Sequence, residues 1–182
     1  MAQQIEHLQE RVLVSNLLFG AIGASSRNMD AFSSWLLAGF AAVAAALFAN
    51  LGAATAHLTA YAVHAFFVSF FVVVVLGIVA KFLAVIVVGA SSGAAIGRVE
   101  GARAAESGAQ LNVNVIFSEA ESAILPPARW LIRRSFAKAA RGELTAAAKT
   151  FTIVVQAQAL CMFLQALVVL WVVGVMACSA TF

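Results

Sequence analysis

The stretch FFVSFFVVVVLGIVAKFLAVIVVGA, residues 66–90, carries a single charge, that of Lys81, and its reading decides the fold. Its β-branched run from Val72 to Val75 would suit a strand in water. In lipid an isolated strand leaves backbone N–H and C=O groups unpaired, whereas a helix satisfies them internally. The apolar pattern begins near Tyr61, and residues 61–90 would measure about 45 Å as a helix rising about 1.5 Å per residue. A hydrocarbon core is only about 30 Å thick, so the excess must tilt or project.

Two further stretches are free of Asp, Glu, Lys and Arg for long enough to cross lipid. Residues 31–55 read AFSSWLLAGFAAVAAALFANLGAAT, and residues 150–176 read TFTIVVQAQALCMFLQALVVLWVVGVM. Asp30 stands where a first-turn acid would sit, and Trp35 and Trp171 fall toward the ends, at interfacial depth. The composition agrees, since 63% of the 182 residues are hydrophobic and 10% charged, against about 25% charged in a soluble domain. The expected fold is an all-α integral membrane protein with about three transmembrane helices. An N-terminal interfacial helix and a helical cytoplasmic segment complete it.

Residues 1–30 are expected to form an amphipathic helix and connector, the pattern breaking at SSRNMD, residues 25–30. The start is neither basic nor followed by a small-residue cleavage pattern, so a secretory signal peptide is not expected. Only about 13 residues after Arg11 are free of charge, too few for an ordinary crossing, and whether residues 12–24 insert is left open. Residues 31–90 form a transmembrane hairpin with spans at about 31–55 and 61–90. Residues 91–149 make the cytoplasmic segment, and 150–182 the third span and a short external tail.

Orientation follows from the cations. Arg98, Arg103, Arg129, Arg133, Arg134, Lys138, Arg141 and Lys149 all lie within 91–149, whereas the connection at 57–60 and the tail after Met176 have none. The positive-inside rule places the N-terminus in the cytoplasm and the C-terminus outside, in a membrane of the bacterial inner (cytoplasmic) type.

Within the cytoplasmic segment, Ser118 and Glu121 have capping-box spacing, expected to start a short helix after the extended-looking LNVNVIF. Pro126 and Pro127 then seat the first turn of ARWLIRRSFAKAAR, residues 128–141. On a helical wheel Arg133, Arg134, Lys138 and Arg141 gather opposite Leu131, Ile132 and Phe136. Such a basic face suits an anionic membrane surface, or the same helix packs on the protein's own cytoplasmic body. Trp130 falls on the basic arc and counts against the first alternative. Gly142 predicts an elbow near 141–143.

The most specific feature is Gly89, Gly93, Gly97 and Gly101, four glycines at unbroken i,i+4 spacing with Ala105 and Ala109 extending the row. Glycine costs about 1 kcal/mol in a helix interior relative to alanine, so four on one face call for a reason. A groove without side chains lets another helix approach closely, within the chain or between copies; a hinge after the second span is the alternative. Lys81 is the second anomaly, placed about 12 Å inside the end of a span that closes near Gly89. Either it snorkels to the interface, or it lines a wet path or pairs with a polar group. No carboxylate falls inside an expected span, so water or a backbone oxygen is the expected companion.

Gln158 and Gln165 are seven residues apart on one face of the third span, as either interhelical hydrogen-bonding groups or polar contacts of a passage. His57 and His64 share the same spacing without a third ligand, which argues against a metal. Cys161 and Cys178 lie too far apart on one helix to bridge. No phosphate-binding loop, HExxH pair, intramembrane carboxylate pair or nucleophile triad is present, so neither an enzyme nor a cofactor is expected, nor a nucleic-acid partner. The expected function is a homo-oligomeric membrane protein that forms, lines or gates a pore or channel. The alternatives are an accessory or immunity-type protein binding a membrane partner's helices, or a scaffold recruiting cytoplasmic proteins.

Overall fold

A computed structural model describes residues 2–108, 112–122, 129–130, 133, 137–138 and 145–180. All of its regular elements are helical. They are α1 (Ala2–Ala49), α2 (Leu51–His57), α3 (Ala60–Glu106), α4 (Val113–Ser122) and α5 (Ala146–Ser179). Three of them are long and apolar enough to cross a membrane, over Val12–Ala49, Ala60–Ala104 and Ala147–Ser179. This is a multi-spanning helical membrane protein.

The expected break at residues 25–30 does not occur, because α1 is continuous for 48 residues. Serine, asparagine and aspartate each lower helix propensity by less than about 0.7 kcal/mol, and neither proline nor glycine interrupts this stretch. Ser26 and Ser33 are both buried, so tertiary packing outweighs the local preference. The first span also ends earlier than residue 55. Asn50 leaves the helical region at φ −121°, ψ 30°, while its side-chain amide donates to the Ala46 carbonyl at 3.0 Å. After α2, Leu58 is extended and forms an antiparallel bridge with Ala180. Thr59 then caps α3, its hydroxyl accepting from the Ala62 N–H at 3.3 Å.

At its other end α3 closes on Gly108, whose φ of +68° lies in the left-handed region that glycine enters without a Cβ clash. Residues 113–117 of the segment expected to be extended are helical, and α4 starts at Val113 rather than at Ser118. Asn112 caps it, accepting from the Val115 N–H at 3.4 Å. Ser118 instead donates to the Val115 carbonyl within the helix. The expected elbow at 141–143, the two prolines, Ala109, Arg134 and Arg141 lie outside the described residues.

The chain divides into two packed units. One, of Arg27–Ala84 and Gln156–Phe182, is built on Phe40, Ala44 and Leu47 of α1, Phe66 and Val73 of α3, and Val172 of α5. The Phe40 and Phe66 rings meet at 4.9 Å between centroids, and Phe48 and Phe67 at 4.4 Å. The other unit, of Met1–Ser26 and Val85–Val155, buries Ile22, Val87, Ala148 and Phe151. There Phe19 lies 6.1 Å from Phe151 between ring centroids. Small residues set the helix spacing where they occur, since without side-chain bulk the backbones approach closely. Gly23 is the clearest case, for a Cβ built on it would stand 2.6 Å from Ser91 Oγ and 2.9 Å from Ser91 Cβ.

This contact yields a paired expectation. Gly20→Ala, with no described residue within 4 Å of the added carbon, should stabilise by up to about 1 kcal/mol through helix propensity. Gly23→Ala receives the same propensity gain but overpacks against Ser91, and should be destabilising by about 1–2 kcal/mol net. Thermal unfolding in detergent checks the pair; equal shifts for the two variants would show that α1 and α3 do not meet at Gly23.

Candidate functional site

A buried polar contact in the unit of Arg27–Ala84 and Gln156–Phe182 joins all three long helices. Gln165 on α5 is fully buried and Ser33 on α1 is 1% exposed. The Ser33 hydroxyl donates to Gln165 Oε1 at 2.8 Å, and Gln165 Nε2 donates to the Val73 carbonyl of α3 at 3.0 Å. That carbonyl sits one turn before Gly77, and a Cβ there would stand 2.9 Å from Gln165 Nε2. Gly77 is therefore the gap through which the amide reaches the α3 backbone. Gln158, one heptad earlier, is also fully buried. Among the described residues no buried side-chain nitrogen or oxygen lacks a partner, as a low-dielectric interior requires.

Near the same level Lys81 makes two contacts with α1. Its ammonium donates to Asp30 Oδ1 at 3.1 Å and to Ser34 Oγ at 2.8 Å. The Ser34 hydroxyl donates its own hydrogen bond to the Asp30 carbonyl at 2.7 Å, so its oxygen is turned toward Lys81 as an acceptor. The expected companion of Lys81, water or a backbone oxygen, is thus corrected to a carboxylate and a hydroxyl of α1. Asp30 lies inside a continuous α1 rather than at its start, one turn before Ser34 on the same face. Lys81 and Asp30 side chains are 48% and 37% exposed, so the pair sits at the edge of the helix contact and not in the core. Lys81 is twenty residues from Tyr61 on α3, about 30 Å along a helix and the thickness of a hydrocarbon core.

The glycine row lies on an open face. Gly89, Gly93, Gly97 and Gly101 are all exposed on α3, and among the described residues no atom comes within 4 Å of a Cβ built on any of them. Of the residues assigned to the basic face, Arg133 is exposed and Lys138 half-buried. His57 and His64 are both exposed, and no group of three metal-ligating side chains occurs among the described residues. Cys161 and Cys178 are free thiols.

Sequence reasoning missed Ser33, Gly77 and Asp30. The signal for Asp30 was available in the hairpin. Asp30 is nineteen residues before Ala49 and Lys81 twenty-one after Ala60, so an antiparallel pair of helices brings them to the same level. Gly77 carries no such signal, because its need appears only once Gln165 is known to face it. Comparison with protein families, with characterised proteins and with solved structures finds no match for this chain.

The three-helix contact makes a conditional prediction. Gly77→Ala should destabilise by about 1–2 kcal/mol, because the methyl group drives the Gln165 amide off the Val73 carbonyl. In a Gln165→Ala background the obstruction is gone, and the same substitution should become neutral or stabilising by up to about 1 kcal/mol. A double-mutant cycle in thermal unfolding reads the coupling; additive effects would mean that Gln165 does not pass over Gly77.

Proposed function

We propose that this chain is the subunit of a homo-oligomeric membrane assembly whose copies pack through the glycine face of α3 and together form, line or gate a passage. One observation carries the reading. Four glycines, each costly in a helix interior, open onto space that no described residue of their own chain fills. A glycine face is a place for close helix contact, and a second copy supplies the helix that the chain itself does not. The apolar surface supports the same view, since at most 28% of the apolar window of any of the three long helices is buried within the chain. The rest suits lipid or other helices.

A passage in this reading lies between copies rather than within one. The three-helix core is filled by Phe66, Val73, Val172 and Gln165, all at most 1% exposed, which argues against a path through a single chain. A closed ring of identical contacts is the ordinary route by which small membrane subunits enclose a channel. No catalytic role is part of the proposal. Orientation is assigned from charge: the N-terminus and residues 91–149, with their basic face around Arg133 and Lys138, are cytoplasmic, and the C-terminus is external. The Leu58–Ala180 bridge places the α2 connection and the chain's last described residue at one end, in keeping with that assignment.

Leucine at Gly93 and Gly97 tests the assembly. Among the described residues no atom comes within 4 Å of a Cβ at either position, so the fold should persist while the copies are held apart. Native mass measurement should show the assembly reduced to smaller species, and liposomes carrying the variant should lose ion flux. A folded variant of unchanged copy number refutes the glycine contact. A wild type that is monomeric and enlarges only with another membrane protein would favour the accessory reading instead.

Topology is tested separately. A reporter inserted near Gly108 should be cytoplasmic and one fused after Phe182 external. Finding both on one side would remove the three-span arrangement.

A further inference from the structure

We infer that the outer seam between α1 and α3 at Lys81 binds an anionic phospholipid, the phosphate held by Lys81 and Arg27 and an acyl chain lying along the seam. The inference rests on reading the long helices as membrane spans, but not on oligomerisation. It starts from an unused donor. A lysine ammonium has three N–H groups; Asp30 and Ser34 take two of those on Lys81, and the side chain remains 48% exposed.

Arg27 supplies the second charge. At about 100° per residue, Arg27, Asp30 and Ser34 fall within a 60° arc of α1, and two of the three touch Lys81. Arg27 is exposed and engages no partner among the described residues. The local count is therefore two cations to one carboxylate, a net positive site on an otherwise apolar surface. A phosphodiester offers acceptor oxygens and one negative charge, which complements both the open donor and the excess cation.

Depth and shape narrow the ligand to a lipid. The pair lies about 30 Å along α3 from Tyr61, so with the α2 end at one membrane face, Lys81 stands at the level of the opposite headgroups. Toward α2, Ala38, Ala41 and Ala45 continue the same side of α1. On α3, Phe71 and Ile78 fall within about 80° of Lys81 and are 69% and 62% exposed. These side chains give an alkyl chain an apolar surface to lie against. Trp35, at 80% exposure on the adjoining arc, stands one turn below Asp30, where indole rings favour the ester region. A soluble phosphate would use the charges but gain nothing from the apolar surface.

The test uses the full-length protein in vesicles of phosphatidylglycerol and phosphatidylcholine, with retained lipid read by native mass spectrometry after extraction. Phosphatidylglycerol should be enriched over phosphatidylcholine. Arg27→Gln, which removes no contact within the described chain, should reduce the enrichment roughly fivefold, the factor one basic residue contributes at a membrane surface. Asp30→Asn removes the competing charge and should raise it. Arg98→Gln, a cation elsewhere on α3, should leave it unchanged, and excess inorganic phosphate should not displace the lipid. Equal retention of the two lipids, a fall in the folded Asp30→Asn variant, an equal loss in Arg98→Gln, or displacement by inorganic phosphate would each overturn the site. Failure of the wild type to float with vesicles would instead overturn the membrane reading on which it rests.

Discussion

A primary amide buried among apolar helices has to satisfy its donors and acceptor without water, and Gln165 does so by joining two other helices. Its oxygen takes the Ser33 hydroxyl and its nitrogen finds the Val73 carbonyl. Hydrophobic packing between helices in lipid is weakly directional, because lipid tails are as apolar as the side chains they would displace. The amide is directional. A rotation of α5 by one residue, about 100°, carries Gln165 away from both partners. Gly77 belongs to the same constraint, since any larger residue there closes the approach.

The ion pair at Lys81 works differently. Its exposure leaves it accessible to whatever surrounds the helices, and ion pairs of this kind contribute little to stability when solvated. Its value is in placing charge. A lysine and a carboxylate held on the rim of an apolar bundle are costly to immerse fully in lipid, which limits the levels that the helices can take. The two polar contacts thus divide the labour: one sets the mutual rotation of the helices, the other their level.

Much of the fold was legible because charge is so sparse. The charge-free runs at 31–55 and 150–176 and the single lysine in 66–90 identify three apolar helices without reference to propensity. The heptad spacing of Gln158 and Gln165 identified a shared face, and both are buried. Local signals failed where tertiary contacts overrode them. Residues 25–30 contain weak helix formers yet remain helical, and a capping-box match at Ser118 fell within α4. The partners of Lys81 were hidden by the first of these errors, since a helix assumed to begin at Asp30 turns its carboxylate toward its own backbone. The glycine row was legible as a pattern, while the space in front of it was not.

The polar contact at Gln165 also has a consequence for biogenesis. The three participating helices are not made together: α1 and α3 leave the ribosome first, and α5, which carries the amide, is the last of the long helices in chain order. Until it arrives, the Ser33 hydroxyl has no Gln165 to bond across the helix contact, and the cleft over Gly77 stands empty. A hairpin in that state leaves the Ser33 hydroxyl in apolar surroundings without its partner on another helix. Docking of α5 closes the contact with both helices at once.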